Sequence, residues 1–101
     1  MSTILRLSTA VPRAVLVRWF QPGRTARLDC TGFTMQTGET GLPFVPVWQA
    51  VNLAQGEFRI APATPEQLAL LRPGRQYGLH ALLLNSLGEP VDDMRLTIEA
   101  V

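Results

Sequence analysis

The chain has 101 residues, which is enough for one domain with a single modest hydrophobic core. Apolar residues make up 47% of it and charged residues only 17%, so we expect neighbouring subunits to cover part of its apolar surface. The net charge of +1 gives no long-range field and argues against nucleic acid as a partner. A single cysteine excludes an internal disulfide, and we predict neither a metal site nor a cofactor. No apolar run approaches the ~20 residues of a membrane span, so we predict no membrane partner.

The first segment, residues 2–8, alternates weakly, with Leu5 and Leu7 on one face. This pattern predicts either an edge strand or an arm that pairs with a neighbouring subunit. We therefore separate residues 1–12, as a strand or arm, from a domain formed by residues 13–101.

Residues 14–20 are strongly β-prone and almost wholly apolar, which predicts a strand with cover on both faces or with one face docked on a partner. Trp19 and Phe20 have opposite parity in this strand, so they cannot both face the same core. One of them is therefore a candidate for a subunit contact. Proline and glycine occupy the central positions of residues 21–24, as a type II turn requires.

The middle of the chain is less regular. Residues 25–29 and 33–36 are predicted strands on either side of a bend or bulge. Residues 37–43 are polar and glycine-rich, and we predict an exposed loop there. Residues 44–51 read as another strand, which Pro46 restricts to a sheet edge or to a strand start.

The stretch after Gln55 has the clearest local pattern. Residues 56–60 alternate as a half-buried strand, and residues 76–85 alternate as a second one. Between them, Thr64 is a helix N-cap, Gln67 is placed to close a capping box, and a short helix is predicted over about 65–71. A helix this short cannot cover a parallel sheet, so we expect it to cross one end of a β-sandwich.

The end of the chain predicts a hairpin loop over residues 86–90 and a last strand. The inward side chains of that strand are predicted to be Met94, Leu96, Ile98 and Ala100. About seven short strands, with turn signals every eight to twelve residues, predict an all-β protein with one short helix, arranged as an immunoglobulin-like antiparallel β-sandwich.

Several short motifs occur in an order that resembles a known family. In this sequence they read Leu28-Asp29-Cys30-Thr31-Gly32, then GEFRI, TPEQL, RPGRQY and LGEP. Their order is similar to the N-terminal immunoglobulin-like domain of phage baseplate upper proteins and related small virion proteins, over residues 13–101. The resemblance implies a structural protein of a tailed bacteriophage. Because the chain stops after this domain and has an extra N-terminal strand, a small decorating, neck or tail-associated subunit fits better than a baseplate protein.

Few residues suggest chemistry. A Cys30–His80 pair is formally able to act as nucleophile and base, but a small buried cysteine and a half-exposed strand histidine are the simpler interpretation. Asp92 and Asp93 are adjacent, so in a strand their carboxylates point to opposite faces and cannot act as an acid/base pair. We expect these two residues to end the hairpin.

Arginine supplies all nine basic residues, and it is the basic residue enriched at protein interfaces, although codon bias in a GC-rich genome explains the same usage. We predict that arginine, aromatic and exposed apolar side chains make the contacts with other subunits. The candidates are Ile4, Arg6, Arg18, Phe20, Leu42, Phe44, Trp48, Arg72 and Arg75.

These observations favour a non-enzymatic structural component of a phage particle, assembled in the bacterial cytoplasm and located in the virion. Its expected partners are other virion proteins and further copies of itself in an oligomer or symmetric array. The alternative is a carbohydrate-binding module, which requires Trp19 or Trp48 to lie exposed beside residues 37–43. A small hydrolase is a third hypothesis, against which the absence of convergent His, Asp, Ser or Cys motifs argues.

Overall fold

The computed structural model describes residues 3–101, so the first two residues of the predicted N-terminal arm lie outside the described part. Strands hold 47% of the residues and helices 7%, which confirms a mostly β protein. The elements in chain order are β1 (Thr3–Leu7), β2 (Val15–Arg18), β3 (Thr34–Thr40), β4 (Trp48–Asn52), a 3-10 helix (Leu53–Gln55), β5 (Glu57–Ile60), α1 (Pro65–Leu68), β6 (Gln76–Leu84) and β7 (Pro90–Ala100).

The strands form two sheets. The larger sheet has the order β1-β7-β6-β3, and the smaller has the order β2-β5-β4. Neighbouring strands are antiparallel except β1 and β7, which are parallel, so the expectation of a purely antiparallel arrangement is wrong at this edge. The alternation of side chains along β1 identifies those that point inward. It does not show whether the partner strand is parallel or antiparallel, because β1 buries the same side chains in either case.

The β6–β7 hairpin is the longest strand pair, running from Gln76 opposite Glu99 to Leu84 opposite Pro90. Its loop is closed by the side chain of Asn85, whose Oδ1 accepts hydrogen bonds from two backbone N–H groups of the loop at 2.9 and 3.0 Å. The predicted loop is present, but β7 already begins at its last residue. The two adjacent aspartates, expected to end the hairpin, therefore lie inside β7.

The connection from β5 to β6 carries the chain from the smaller sheet to the larger one. Thr64 and Gln67 form the predicted capping box: Thr64 Oγ1 accepts from the Gln67 N–H at 3.2 Å, and Gln67 Oε1 accepts from the Thr64 N–H at 3.0 Å. The helix is shorter than predicted, because the chain continues from Leu68 as a tight turn in which Leu71 bonds back to the Leu68 carbonyl. Leu68 and Leu71 are both buried, as their shared face predicts.

Two middle segments differ from prediction. The expected loop over residues 37–43 is instead the end of β3 as far as Thr40, because β6 supplies a pairing partner for this polar segment. A register shift between Thr37 and Thr40 accommodates the extra residues. The expected strand over 25–29 is only an isolated bridge between Phe20 and Arg27.

Pro46 has the predicted effect on β4, which begins two residues later and lies at the edge of the smaller sheet. β2 is covered on one face only, since Val17 is buried whereas Leu16 and Arg18 are exposed.

Two clusters of buried side chains make up the core, and each draws on both sheets. The first includes Val17 and Ile60 from the smaller sheet and Leu79 and Ile98 from the larger. The second contains Trp19, Cys30, Phe58 and Leu83. The opposite, outward faces of the two sheets are thus not used by this core. No helix in the described residues has the length and apolar composition needed to cross a bilayer.

Candidate interaction surfaces

The outward face of the smaller sheet combines paired polar groups with exposed apolar side chains. In register, Leu16 lies beside Arg59, which lies beside Gln49; the next row pairs Arg18 with Glu57. We call the following residues the small-sheet face: Leu16, Arg18, Val47, Gln49, Glu57 and Arg59.

The polar groups of the small-sheet face bind one another. Arg59 Nε donates to Gln49 Oε1 at 2.6 Å, and Arg18 Nε donates to Glu57 Oε2 at 3.3 Å. Leu16 is 49% exposed and Val47 is 60% exposed. Because the polar side chains are already paired, a protein docking here would gain mainly from covering the two apolar ones.

Phe20 extends the same side of the molecule beyond the end of β2. Trp19 is buried and Phe20 is 46% exposed, so of these two aromatic residues Phe20 is the one available for a contact. The Arg27 guanidinium lies 5.4 Å from the centroid of the Phe20 ring, a cation–π distance.

The predicted candidates Leu42, Phe44 and Trp48 are only partly exposed, and they pack against the core between the sheets. The Trp48 indole N–H donates to Thr37 Oγ1 at 3.0 Å, which ties β4 to β3 across the gap between the sheets. Leu42 and Phe44 also line a small apolar cavity with Val45 and residues of the core. Neither tryptophan is an exposed platform of the kind that a carbohydrate site requires.

The remaining candidates lie at two other places. Arg72 and Arg75 flank the turn before β6: the Arg72 N–H donates to the Tyr77 hydroxyl at 3.0 Å, and the Arg75 guanidinium lies 5.5 Å from the Tyr77 ring centroid. Ile4 and Arg6 are exposed on β1, at the edge of the larger sheet. The nine predicted contact residues therefore do not form one patch, and whether any of them binds a partner stays a prediction.

A groove that the sequence did not suggest crosses the outward face of the larger sheet. It has a volume of about 400 Å³, and a side chain at Gly78 in its floor would meet nothing within 4 Å. We call it the large-sheet groove; it is lined by Glu39, Thr40, Gly41, Gly78, Leu79, His80, Arg95, Leu96 and Thr97.

Two opposite charges flank the groove. Glu39 lies in the register shift of β3 on one side of β6, and Arg95 lies on β7 directly opposite His80 on the other side. Both side chains are exposed, and neither has an ion pair or hydrogen bond with another described residue. The groove therefore offers a free carboxylate and a free guanidinium.

His80 lies between these charges and is already paired. Its Nε2 donates to Asp93 Oδ2 at 2.7 Å, and its ring lies across Gly38, where a Cβ would come within 2.9 Å of the imidazole Nδ1. Sequence reasoning missed this pair because it depends on strand register. Pairing outward from Asn85 and Glu89 alone would place Asp92 opposite Leu82. A register shift between Leu83 and Leu84 places Asp93 there instead, one diagonal step from His80.

The Cys30–His80 pair is not brought together. Cys30 is fully buried between the sheets, whereas His80 points outward from β6. Burial raises the pKa of the Cys30 thiol, and the negative charge of Asp29 raises it further. The Thr31 hydroxyl and backbone N–H donate to Asp29 Oδ1 at 2.6 and 3.0 Å, and these bonds hold the pKa of Asp29 below its usual value.

Within residues 3–101, no group of three or more His, Cys, Asp or Glu side chains could hold a metal ion. Comparisons with protein-family models, with curated proteins and with solved structures found no match to this chain.

Proposed function

We propose that this protein is a non-enzymatic structural component of a bacteriophage particle, a small decorating, neck or tail-associated subunit that acts through protein–protein contacts. The observation that carries this proposal is the small-sheet face, where exposed apolar side chains lie among polar groups that already satisfy one another. Such a face gains little from small polar ligands and more from a protein surface that excludes water.

We also propose that the two sheets form an immunoglobulin-like sandwich, and the strand order supports this fold. If the strands are lettered A to G in chain order, C, F and G share one sheet while B, E and D share the other, as in immunoglobulin domains. The first strand differs from the constant-type arrangement, since it lies beside the last strand. The Tyr77 hydroxyl, bonded to the backbone five residues upstream, matches the tyrosine corner of that fold.

The phage assignment is supported by the order of the sequence motifs together with this strand arrangement. In a symmetric particle, weak contacts made by each copy become strong together, because the second and later contacts are effectively intramolecular. Modest faces such as the small-sheet face are therefore sufficient for stable attachment. Other virion proteins are the proposed occupants of that face.

The test is quantitative mass spectrometry of particles purified from cells that produce the chain. We expect the wild-type chain in the particles at a fixed stoichiometry. The variants Leu16→Glu and Val47→Glu should be depleted several-fold, because each buries a charge under the docked partner. Leu87→Glu is the control, since Leu87 is an even more exposed apolar residue at the hairpin tip, away from the small-sheet face.

Two results would contradict the proposal in different ways. Absence of the wild-type chain from purified particles would overturn the structural role itself. Normal incorporation of both glutamate variants would instead show that attachment does not use the small-sheet face.

A further inference from the structure

We propose that two copies of this chain associate through the outward faces of their larger sheets, with Glu39 of each copy facing Arg95 of the other. The inference rests on the proposed function, because it names the chain itself as one of its own protein partners. It uses a surface different from the small-sheet face.

The charges of the large-sheet groove are complementary to a second copy of the same groove. Glu39 and Arg95 lie on opposite sides of β6 at the level of His80. A two-fold axis running along β6 would bring β3 of one copy over β7 of the other. This operation places Glu39 over Arg95 twice, so it forms two equivalent ion pairs and no like-charge contact between these residues.

The other charges within the face do not oppose this arrangement. Asp93 accepts a 2.7 Å bond from His80, and Glu99 accepts a bond from Gln76 at 3.4 Å. The proposed axis places Asp93 over Gln36 of the other copy and not over a carboxylate, since both residues lie opposite Leu82 in register. The free charges that border the groove are thus the two that the symmetry pairs. The net charge of +1 adds almost no repulsion between copies.

The shape of the groove also permits close approach along the proposed axis. Gly78 leaves open space in the groove, so two copies of β6 have no side chain between them at that position. Leu82 and Leu84, further along the same outward side of β6, are partly exposed and would add apolar contact across the axis.

The available area predicts a weak dimer. The axis along β6 overlaps three strands of each copy, β7, β6 and β3. Three strands spaced ~4.8 Å apart and a nine-residue strand rising ~3.3 Å per residue give a contact of about 430 Å² per copy. Specific, stable interfaces bury about 600–1,000 Å² per partner, so this contact is smaller and belongs to the weak, transient class. We expect a dissociation constant in the micromolar range rather than an obligate dimer.

The experiment is sedimentation velocity of the full chain over a concentration series from ~1 μM to ~1 mM. Wild-type protein should show concentration-dependent dimers that weaken as ionic strength rises, because exposed ion pairs are screened. Glu39→Arg alone and Arg95→Glu alone should each raise the dissociation constant about tenfold or more, since each places two like-charge contacts in the homodimer.

Sedimentation of a mixture of the two single variants is the decisive measurement. Arg at position 39 of one chain would face Glu at position 95 of the other, and the unchanged Arg95 of the first would face the unchanged Glu39 of the second. The mixture should therefore form heterodimers with an affinity near that of the wild type. Arg24→Glu is the matched control, since Arg24 is exposed in a turn away from the groove and its reversal should leave the dimer unchanged.

Three outcomes would overturn the inference: wild-type protein that is monomeric throughout the series, a single reversal without effect, or a mixture as weak as its components. Thermal unfolding close to that of the wild type would verify that each variant is folded. Because particle incorporation is measured separately, a monomeric chain that still enters particles would refute the dimer and leave the proposed function intact.

Discussion

The outward faces of the two sheets differ in whether their charged side chains have partners within the chain. On the small-sheet face, Arg18 and Arg59 each have a partner in their own chain, at 3.3 and 2.6 Å. Beside the large-sheet groove, Glu39 and Arg95 have none among the described residues. The first face can therefore recognise a partner mainly by shape and apolar area, whereas the second can discriminate by charge. Two sheets of one small domain can thus carry two kinds of contact.

The largest loss of stability is expected from a substitution at the start of the smaller sheet's central strand. Gly56 immediately precedes β5 and has a φ of +64°, and a Cβ there would lie 2.6 Å from the Leu28 carbonyl oxygen and 2.9 Å from that of Trp19. Gly56→Ala should lower the free energy of unfolding by about 3 kcal/mol or more, because left-handed strain adds to a clash with backbone atoms. Chemical denaturation measures this value.

Gly88→Ala provides the matched control for Gly56→Ala. Gly88 has a similar φ of +79°, but nothing lies within 4 Å of its Cβ position. Only the conformational strain remains, so we expect a loss of about 1 kcal/mol. Equal losses of unfolding free energy at the two glycines would show that the close backbone oxygens of Leu28 and Trp19 do not add to the cost at Gly56.

A smaller effect should separate stability from association. Thr64→Ala removes the N-cap of α1, in the connection between the sheets, and should lower the free energy of unfolding by about 1 kcal/mol. Neither outward face contains Thr64, so dimer affinity and particle incorporation should stay at wild-type values below the melting temperature. A parallel loss of association would show that the faces depend on this connection.

Double-mutant cycles on the monomer measure the contrast between paired and free charges. The Arg18–Glu57 pair is partly exposed, so its coupling energy should be small, about 0.2–1 kcal/mol. The Glu39–Arg95 pair should show no coupling at a concentration where the chain is monomeric. Coupling of equal size in the two cycles would contradict the distinction between the faces.

The smallest expected effect is on the stability of the fold at low pH. The pKa of Asp29 is lowered by its bonds from Thr31, so the contribution of this carboxylate to stability is fully present above its unfolded pKa of about 3.9. It is lost as the pH falls through the still lower folded value. Asp29→Asn should flatten the acid limb of a stability profile below about pH 4. A variant with an unchanged acid limb would contradict the role of these bonds, and both faces should keep their contacts above that pH.

Local signals predicted the part of the fold that local interactions determine. The capping box at Thr64 and Gln67 and the strands on either side of it were predictable, because the responsible residues are close in sequence. The helix end was less predictable, since the turn after Leu68 depends on burying Leu71 in the core. The parallel direction of β1 follows from packing against β7, which alternation does not encode.

The large-sheet groove could not be predicted from composition or motifs. It depends on the register that brings Glu39 and Arg95 to either side of β6, and on β3 extending through a glycine-containing segment that resembles a loop. Parity did predict that Trp19 and Phe20 face opposite ways, but burial in the folded chain was needed to identify Phe20 as the exposed one.

Hydroxyl-radical footprinting of the chain, free and in purified particles, tests the central claim most directly. The account predicts that labelling of Leu16 on the small-sheet face and of His80 in the large-sheet groove falls several-fold in particles, while the buried Leu83 stays unlabelled in both states. Identical labelling of Leu16 and His80 in the free and particle-associated chain would contradict it.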